Sequence, residues 1–245
     1  MASDGSSSTA GASRRKLPLW AETIVLLALA IVLAVLVKTF FVQAFYIPSG
    51  SMRPGLVVND RIMVQKVSYW GEDGPGRGDI VVFEDPGGWL DGAPAGPTNN
   101  LTEALAKIGL FPTGGHLVKR VIGVGGDTVH CCDDEGRIEI NGVGVDEDEF
   151  IAPQSDCDGP MPSSCSRDWT VEVPEGRLFV MGDNRDASAD SSARLCNPDN
   201  ARCDPSDAFV PVDLVVGKVF ALVWPFDHFR FIGSPDVFDE VPDPS

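Results

Sequence analysis

The stretch IPSGSM, Ile47 to Met52, carries two hydroxyls, Ser49 and Ser51, beside a proline and a glycine. A serine becomes a nucleophile at neutral pH only when a base takes its proton. Histidine is the usual base, but His116, His130 and His228 are each more simply read as loop or strand-edge residues, and the chain contains no G-x-S-x-G elbow. A Ser-x-x-Lys match at Ser13 to Lys16 falls at the end of a Ser, Ala and Gly stretch that cannot hold a geometry. Lysine elsewhere is the remaining candidate, and Lys119 in HLVKRVIGVGGD is the one lysine embedded in an apolar, strand-like run. Free lysine, with a pKa of about 10.4, is neutral in about four molecules in ten thousand at pH 7, so burial must depress it by several units. A shift of about three units corresponds to about 4 kcal/mol, tolerable only where the group is used. By residue type alone, a lysine whose ammonium points to solvent is the commoner case.

A second polar stretch, GDNRDASADS from Gly182 to Ser191, follows the apolar run RLFVM. Asp183, Asp186 and Asp190 suggest a calcium loop, but the glycine and terminal glutamate of an EF-hand loop are missing, so a polar loop after a strand is the better account. The histidines and cysteines show no metal-ligand spacing, and no metal or cofactor is expected.

Positioning such residues requires a scaffold, and the scaffold is written in short β-branched and aromatic runs bounded by Gly, Pro, Asp and Asn. These are DRIMVQKV, DIVVFED, HLVKRVIGV, RIEING, WTVEV, RLFVMG and KVFALVW. They predict a mostly antiparallel β body. Leu101 to Leu110, LTEALAKIGL, has helical spacing and reads as a packed helix or one touching lipid.

Ahead of this body, Arg14, Arg15 and Lys16 precede LPLWAETIVLLALAIVLAVLVK, in which Glu22 is the only charge before Lys38. About twenty residues at about 1.5 Å each cross a bilayer core. The basic excess on the N-terminal side places that side in the cytoplasm and the rest outside. A cleaved secretory signal cut after Val42-Gln43-Ala44 is the alternative, but the apolar run exceeds the about 7 to 15 residues usual there. The predicted organisation is a disordered cytoplasmic tail over 1–16, a transmembrane anchor over 17–42, an extracytoplasmic β domain over 43–233 and a loosely held tail over 234–245. Phe40, Phe41, Phe45 and Tyr46 either seat the domain in the membrane interface or simply finish the anchor and start the core.

The 245-residue chain carries a net charge of −17 and a pI near 4.4, which excludes nucleic acid as a partner. All six cysteines lie in its second half and suit an oxidising compartment. Cys157 with Cys165 and Cys196 with Cys203 would close short loops, but six cysteines allow fifteen connectivities and the sequence does not choose among them. For the adjacent Cys131 and Cys132, the about 3.8 Å between Cα atoms of a trans peptide falls short of disulfide geometry, so each is expected to pair elsewhere or stay free.

Taken in order, the motifs resemble those of the bacterial type I signal peptidases, and the vicinal cysteines and GVGGD resemble the actinobacterial branch. IPSGSMRPGL resembles the nucleophile box, RGDIVVF a strand box, VKRVIGVGGD the lysine box and GDNRDASADS the last box. The resemblance implies Ser51 as nucleophile and Lys119 as general base, with the Ser51 N–H and the Ser49 hydroxyl as oxyanion donors. It further implies Ser188 as the residue orienting the lysine amine, and Asp190 as a bracing acid paired with Arg120. Ser192 stands where the family usually has arginine, with Arg194 two positions later, and Gly125 stands where many relatives have proline.

The function so implied is that of a membrane-bound Ser/Lys endopeptidase working near the translocon. It would cut signal peptides of preproteins after a small side chain, with the substrate added as an extended strand. The alternatives are an anchored extracytoplasmic domain that binds peptides or cell-wall material without catalysis, and a Ser/Lys peptidase that cleaves itself or a regulatory partner.

Overall fold

The computed structural model describes residues 18–69, 74–90, 115–152, 169–196 and 203–244. The helix expected at Leu101 to Leu110, the pair Cys157 and Cys165 and the N-terminal tail lie outside the described residues.

An apolar helix, α1 (Leu19–Phe40), opens the described chain, and its segment Leu19–Val37 is long and apolar enough to cross a membrane, with none of it buried against protein. It ends two residues earlier than the expected anchor, because Val42 already begins strand β1 (Val42–Tyr46). A large antiparallel sheet follows from β1, β2 (Arg61–Gln65), β3 (Ile80–Glu84), β4 (His116–Gly123), β9 (Arg177–Met181), β10 (Val210–Pro211), β11 (Val215–Trp224) and β12 (Arg230–Phe231). Its order is β1-β2-β11-β3-β4-β9-β10, with β12 pairing β11. A smaller antiparallel sheet has the order β7-β6-β5-β8, from β5 (Thr128–Cys131), β6 (Ile138–Ile140), β7 (Val143–Gly144) and β8 (Trp169–Glu172). Each of the seven runs read as strands contains or lies within one of these elements, as expected for a mostly antiparallel fold behind an N-terminal helix. The strands β1, β5, β7, β10 and β12 were not among them.

Three apolar clusters hold the sheets. One packs Ile47, Met52 and Leu56 against Ile62, Val64 and Val219. A second joins Val81, Phe83, Leu117 and Val121 to Val180 and Trp89. The third fills the smaller sheet with Val129, Ile138, Ile140, Trp169 and Phe179.

Two expectations are corrected here. Segment 234–245 is docked through its described residues: Asp236–Glu240 forms a 3-10 turn whose Phe238 is buried, Val241 is buried beyond it, and Arg77 donates to the carbonyls of Val241 (3.2 Å) and Pro242 (3.1 Å). The polar composition hid two apolar residues that share one edge of a 3-10 turn. Cys131 and Cys132 are bonded to each other, across a cis peptide that brings their Cα atoms to 2.9 Å, so the trans spacing assumed from the sequence does not apply. Cys196 and Cys203 are bonded, a pairing that the sequence left open.

Candidate active site

The serine loop is pinned at both ends. Ile47 and Met52 are buried, while Pro48 and Ser49 between them are exposed. The Ile47 N–H donates to the Asp60 carbonyl (2.8 Å), and the Ile47 carbonyl accepts from Asn59 (2.9 Å). Ser51 is 8% exposed and its hydroxyl lies 3.2 Å from that of Ser49.

Lys119 reaches the same place from β4. Strand alternation puts Leu117, Lys119 and Val121 on one face of the sheet, and Leu117 and Val121 there belong to the Phe83 cluster. The side chain is accordingly 3% exposed. Burial pushes its pKa below the ordinary lysine value; Asp190 and Asp183 oppose that shift and the Arg194 charge reinforces it. Ser49, Ser51, Met52, Leu90 and Lys119 all line one small cavity of about 90 Å³.

The last polar box arrives beside Lys119 because β4 and β9 are neighbours, with Arg120 opposite Met181. Beyond β9 the chain folds back on the strand: the Val180 N–H donates to the Ser191 hydroxyl (2.9 Å), and the Ser191 N–H donates to the Val180 carbonyl (3.2 Å). Asp190, 1% exposed, accepts from the Gly182 N–H (2.8 Å), the Ser188 hydroxyl (2.5 Å) and the Ser192 hydroxyl (2.5 Å). Lys119 Nζ donates to the Ser188 hydroxyl at 3.0 Å. Since the proton of Ser188 is committed to Asp190, its oxygen is left as an acceptor, and the amine must spend an N–H on it. A deprotonated amine that spends an N–H on Ser188 keeps its lone pair for another partner, and the cavity beside it is lined by Ser51.

Arg120 does not pair with Asp190. Its guanidinium forms a buried two-pronged pair with Asp183 (2.8 and 2.8 Å), donates to the Gly78 carbonyl (2.8 Å) and covers the Phe150 ring at 4.3 Å. On a strand, successive side chains point to opposite faces, so Arg120 cannot share the face of Lys119 on which Asp190 acts. Ser192 is a neutral donor to Asp190, and Arg194 lies over the Trp89 ring at 4.6 Å.

Gly182, Asn184 and the pair Arg185 and Glu147 escaped the sequence reasoning. The Asn184 N–H donates to the Ser51 carbonyl (3.0 Å) and its side-chain amide to the Gly50 carbonyl (3.1 Å), tying the last box to the serine loop. Arg185 is gripped by Glu147 (2.8 and 2.6 Å) and donates to the Gly182 carbonyl (2.9 Å). A Cβ on Gly182 would stand 2.4 Å from both the Ser51 carbonyl oxygen and the Ser188 hydroxyl. A glycine directly after a strand is a known sign of close backbone approach, and was the available signal.

The family described as "Signal peptidase, peptidase S26" matches residues 20–224. A probable signal peptidase I of Mycobacterium leprae (strain TN) is 37% identical over 239 residues, covering 90% of this chain and 81% of its own. Signal peptidase I of Mycobacterium tuberculosis (strain ATCC 25618 / H37Rv) is 39% identical over 230 residues, covering 87% and 75%. A solved signal peptidase I from Enterococcus faecalis V583 is 24% identical, with a TM-score of 0.32, over 60% of this chain and 98% of that one. With the family matched over most of its length and relatives above one third identity, this chain belongs to the signal peptidases of family S26 and is a hydrolase of that family.

Proposed function

We propose that this protein is a single-pass membrane endopeptidase that removes N-terminal signal peptides from secreted preproteins, with Ser51 as nucleophile and Lys119 as general base. The observation that carries the proposal is a buried lysine, held by Ser188, lining one cavity with Ser51 and Ser49.

Burial favours the neutral form of Lys119, and that is the form able to act as base. Its nitrogen takes the Ser51 proton as Ser51 Oγ attacks the carbonyl carbon of the scissile bond, so the new C–O bond forms as the carbonyl π electrons move to oxygen. The Ser51 N–H and the Ser49 hydroxyl receive that oxyanion, at about 3 kcal/mol per well-placed donor. Protonated Lys119 then gives its proton to the leaving amine as the C–N bond breaks, leaving an acyl ester on Ser51. A water deprotonated by Lys119 hydrolyses the ester and restores the site. Asp190 acts through Ser188 and not by contact with substrate.

The proposed topology puts residues before α1 in the cytoplasm and the β domain outside the cell membrane. Arg14, Arg15 and Lys16 support that orientation, as do the paired cysteines of the domain. Cleavage after Ala44 would sever β1, which pairs with β2 along its whole length, and this favours an anchor that is retained.

The test is hydrolysis of a fluorogenic signal-sequence peptide in detergent by the wild type, Ser51→Ala and Lys119→Met, from about pH 6 to 10. Activity is expected to climb with pH through the depressed lysine pKa and to vanish in both variants. Full activity in Lys119→Met would reject the base assignment, and a folded wild type that cuts nothing would leave a peptide-binding domain.

A further inference from the structure

One wall of the cavity that holds Ser51 and Lys119 comes from outside the motif boxes: Leu90. It ends the turn DPGGWL, Asp85 to Leu90, that follows β3. The Asp85 carboxylate organises this turn, accepting from the N–H groups of Gly87 (2.9 Å), Trp89 (3.0 Å) and Leu90 (3.1 Å). Gly87 and Gly88 have φ of 126° and 76°, a region that excludes most side chains, although nothing crowds the space around them.

Trp89 is then clamped. It is 5% exposed, meets Phe83 edge-on at 5.8 Å, and its indole N–H donates to the Asp207 carbonyl at 3.1 Å. Arg194 lies over its ring and donates to the Gly88 carbonyl at 3.3 Å. Arg194 and Asp207 flank the Cys196–Cys203 disulfide in sequence, so the segment after the last box holds the turn that carries Leu90. The cavity is small beside the about 300–1,000 Å³ of ordinary ligand clefts, and leucine offers it volume and no hydrogen bond.

We propose that Leu90 is a specificity-determining residue, closing the cavity beside Ser51 and Lys119 by its bulk so that only a small substrate side chain enters, with Trp89 and Arg194 as the positioning residues that set how far it projects. The proposal rests on Ser51 being the nucleophile. An apolar wall discriminates by size, typically about tenfold or more per added methylene.

The experiment measures kcat/KM for the full chain in detergent on matched signal-sequence peptides. These carry Gly, Ala or Val either directly before the scissile bond or two positions earlier. Leu90→Ala is expected to raise the Val-to-Ala ratio about tenfold at one of the two positions. Leu90→Phe should lower the Ala-to-Gly ratio at that position, and Arg194→Ala should raise the Val-to-Ala ratio there by a smaller factor. A purely structural role would move all peptides together and leave these ratios alone. Ratios within about twofold of wild type at both positions in Leu90→Ala and Leu90→Phe overturn the proposal. If Leu90→Ala fails to fold, unchanged ratios in Leu90→Phe and Arg194→Ala overturn it equally. Retained cleavage by Ser51→Ala removes the nucleophile assignment instead, whatever the ratios do.

Discussion

Gly182→Ala replaces a hydrogen with a methyl group at the point where the last polar box touches the serine loop. The new Cβ would lie 2.4 Å from the Ser51 carbonyl oxygen and 2.4 Å from the Ser188 hydroxyl, about 1 Å inside ordinary contact. Neither neighbour yields cheaply. The Ser51 carbonyl is held by the Asn184 N–H, and the Ser188 hydroxyl is held between Lys119 and Asp190. Relief therefore displaces the nucleophile loop, the lysine's acceptor, or both, and a misplacement of about 1 Å in reacting groups costs about a hundredfold in rate. Overpacking of this kind costs about 1–3 kcal/mol, or about 2–4 °C in Tm for each kcal/mol in a domain of this size. The expected result is a protein that still folds, melts several degrees lower and has lost about two orders of magnitude in kcat/KM. Gly233→Ala is the control, since a Cβ there meets nothing within 4 Å. If folded Gly182→Ala cleaved within about threefold of wild type, the contact between the two loops would not govern the site geometry.

Three further outcomes follow from the buried charges. Because burial lowers the Lys119 pKa, between that value and about 10.4 the unfolded chain holds a proton the folded chain has released, so stability should rise with pH across the window. Denaturant titrations of wild type and Lys119→Met at several pH values should show that rise only in the wild type, and parallel pH dependences would contradict it. Arg120→Ala strands Asp183 in the interior and should cost about 3–5 kcal/mol by urea unfolding, whereas Arg120→Met with Asp183→Leu should recover part of the loss. Arg77→Ala removes both the pair to Asp127 and the grip on the Val241 and Pro242 carbonyls. It should cost a similar amount and expose the C-terminal segment to limited proteolysis, so an unchanged digestion pattern would speak against that docking.

Much of the scaffold was legible because its signals are local. The β-branched, apolar character of HLVKRVIG and the turn residues around each run suffice to place β4 and to raise the question of Lys119. What escaped depends on which elements become neighbours. Asp183, Asp186 and Asp190 are equivalent candidates for Arg120 in sequence, and only the β4–β9 pairing and the fold-back through Ser191 assign Asp183 to the arginine and Asp190 to Ser188. The vicinal cysteines failed on an assumed trans peptide, a property residue types do not announce. Phe238 and Val241 were overlooked because two apolar residues in an acidic, proline-rich stretch carry little weight until a groove is found for them.

That groove has a bearing on when the domain can finish folding. Phe238 and Val241 complete the same apolar cluster as Val129 and Ile138, and Arg77 reaches its carbonyl partner 164 residues further along the chain. A polypeptide emerging from its N-terminal helix onward can assemble early strand pairs such as β1 with β2 as they appear. It cannot close this cluster until residue 241 has followed. A chain halted short of residue 241 would leave this cluster incomplete and present an open apolar seam to whatever chaperone or protease met it first.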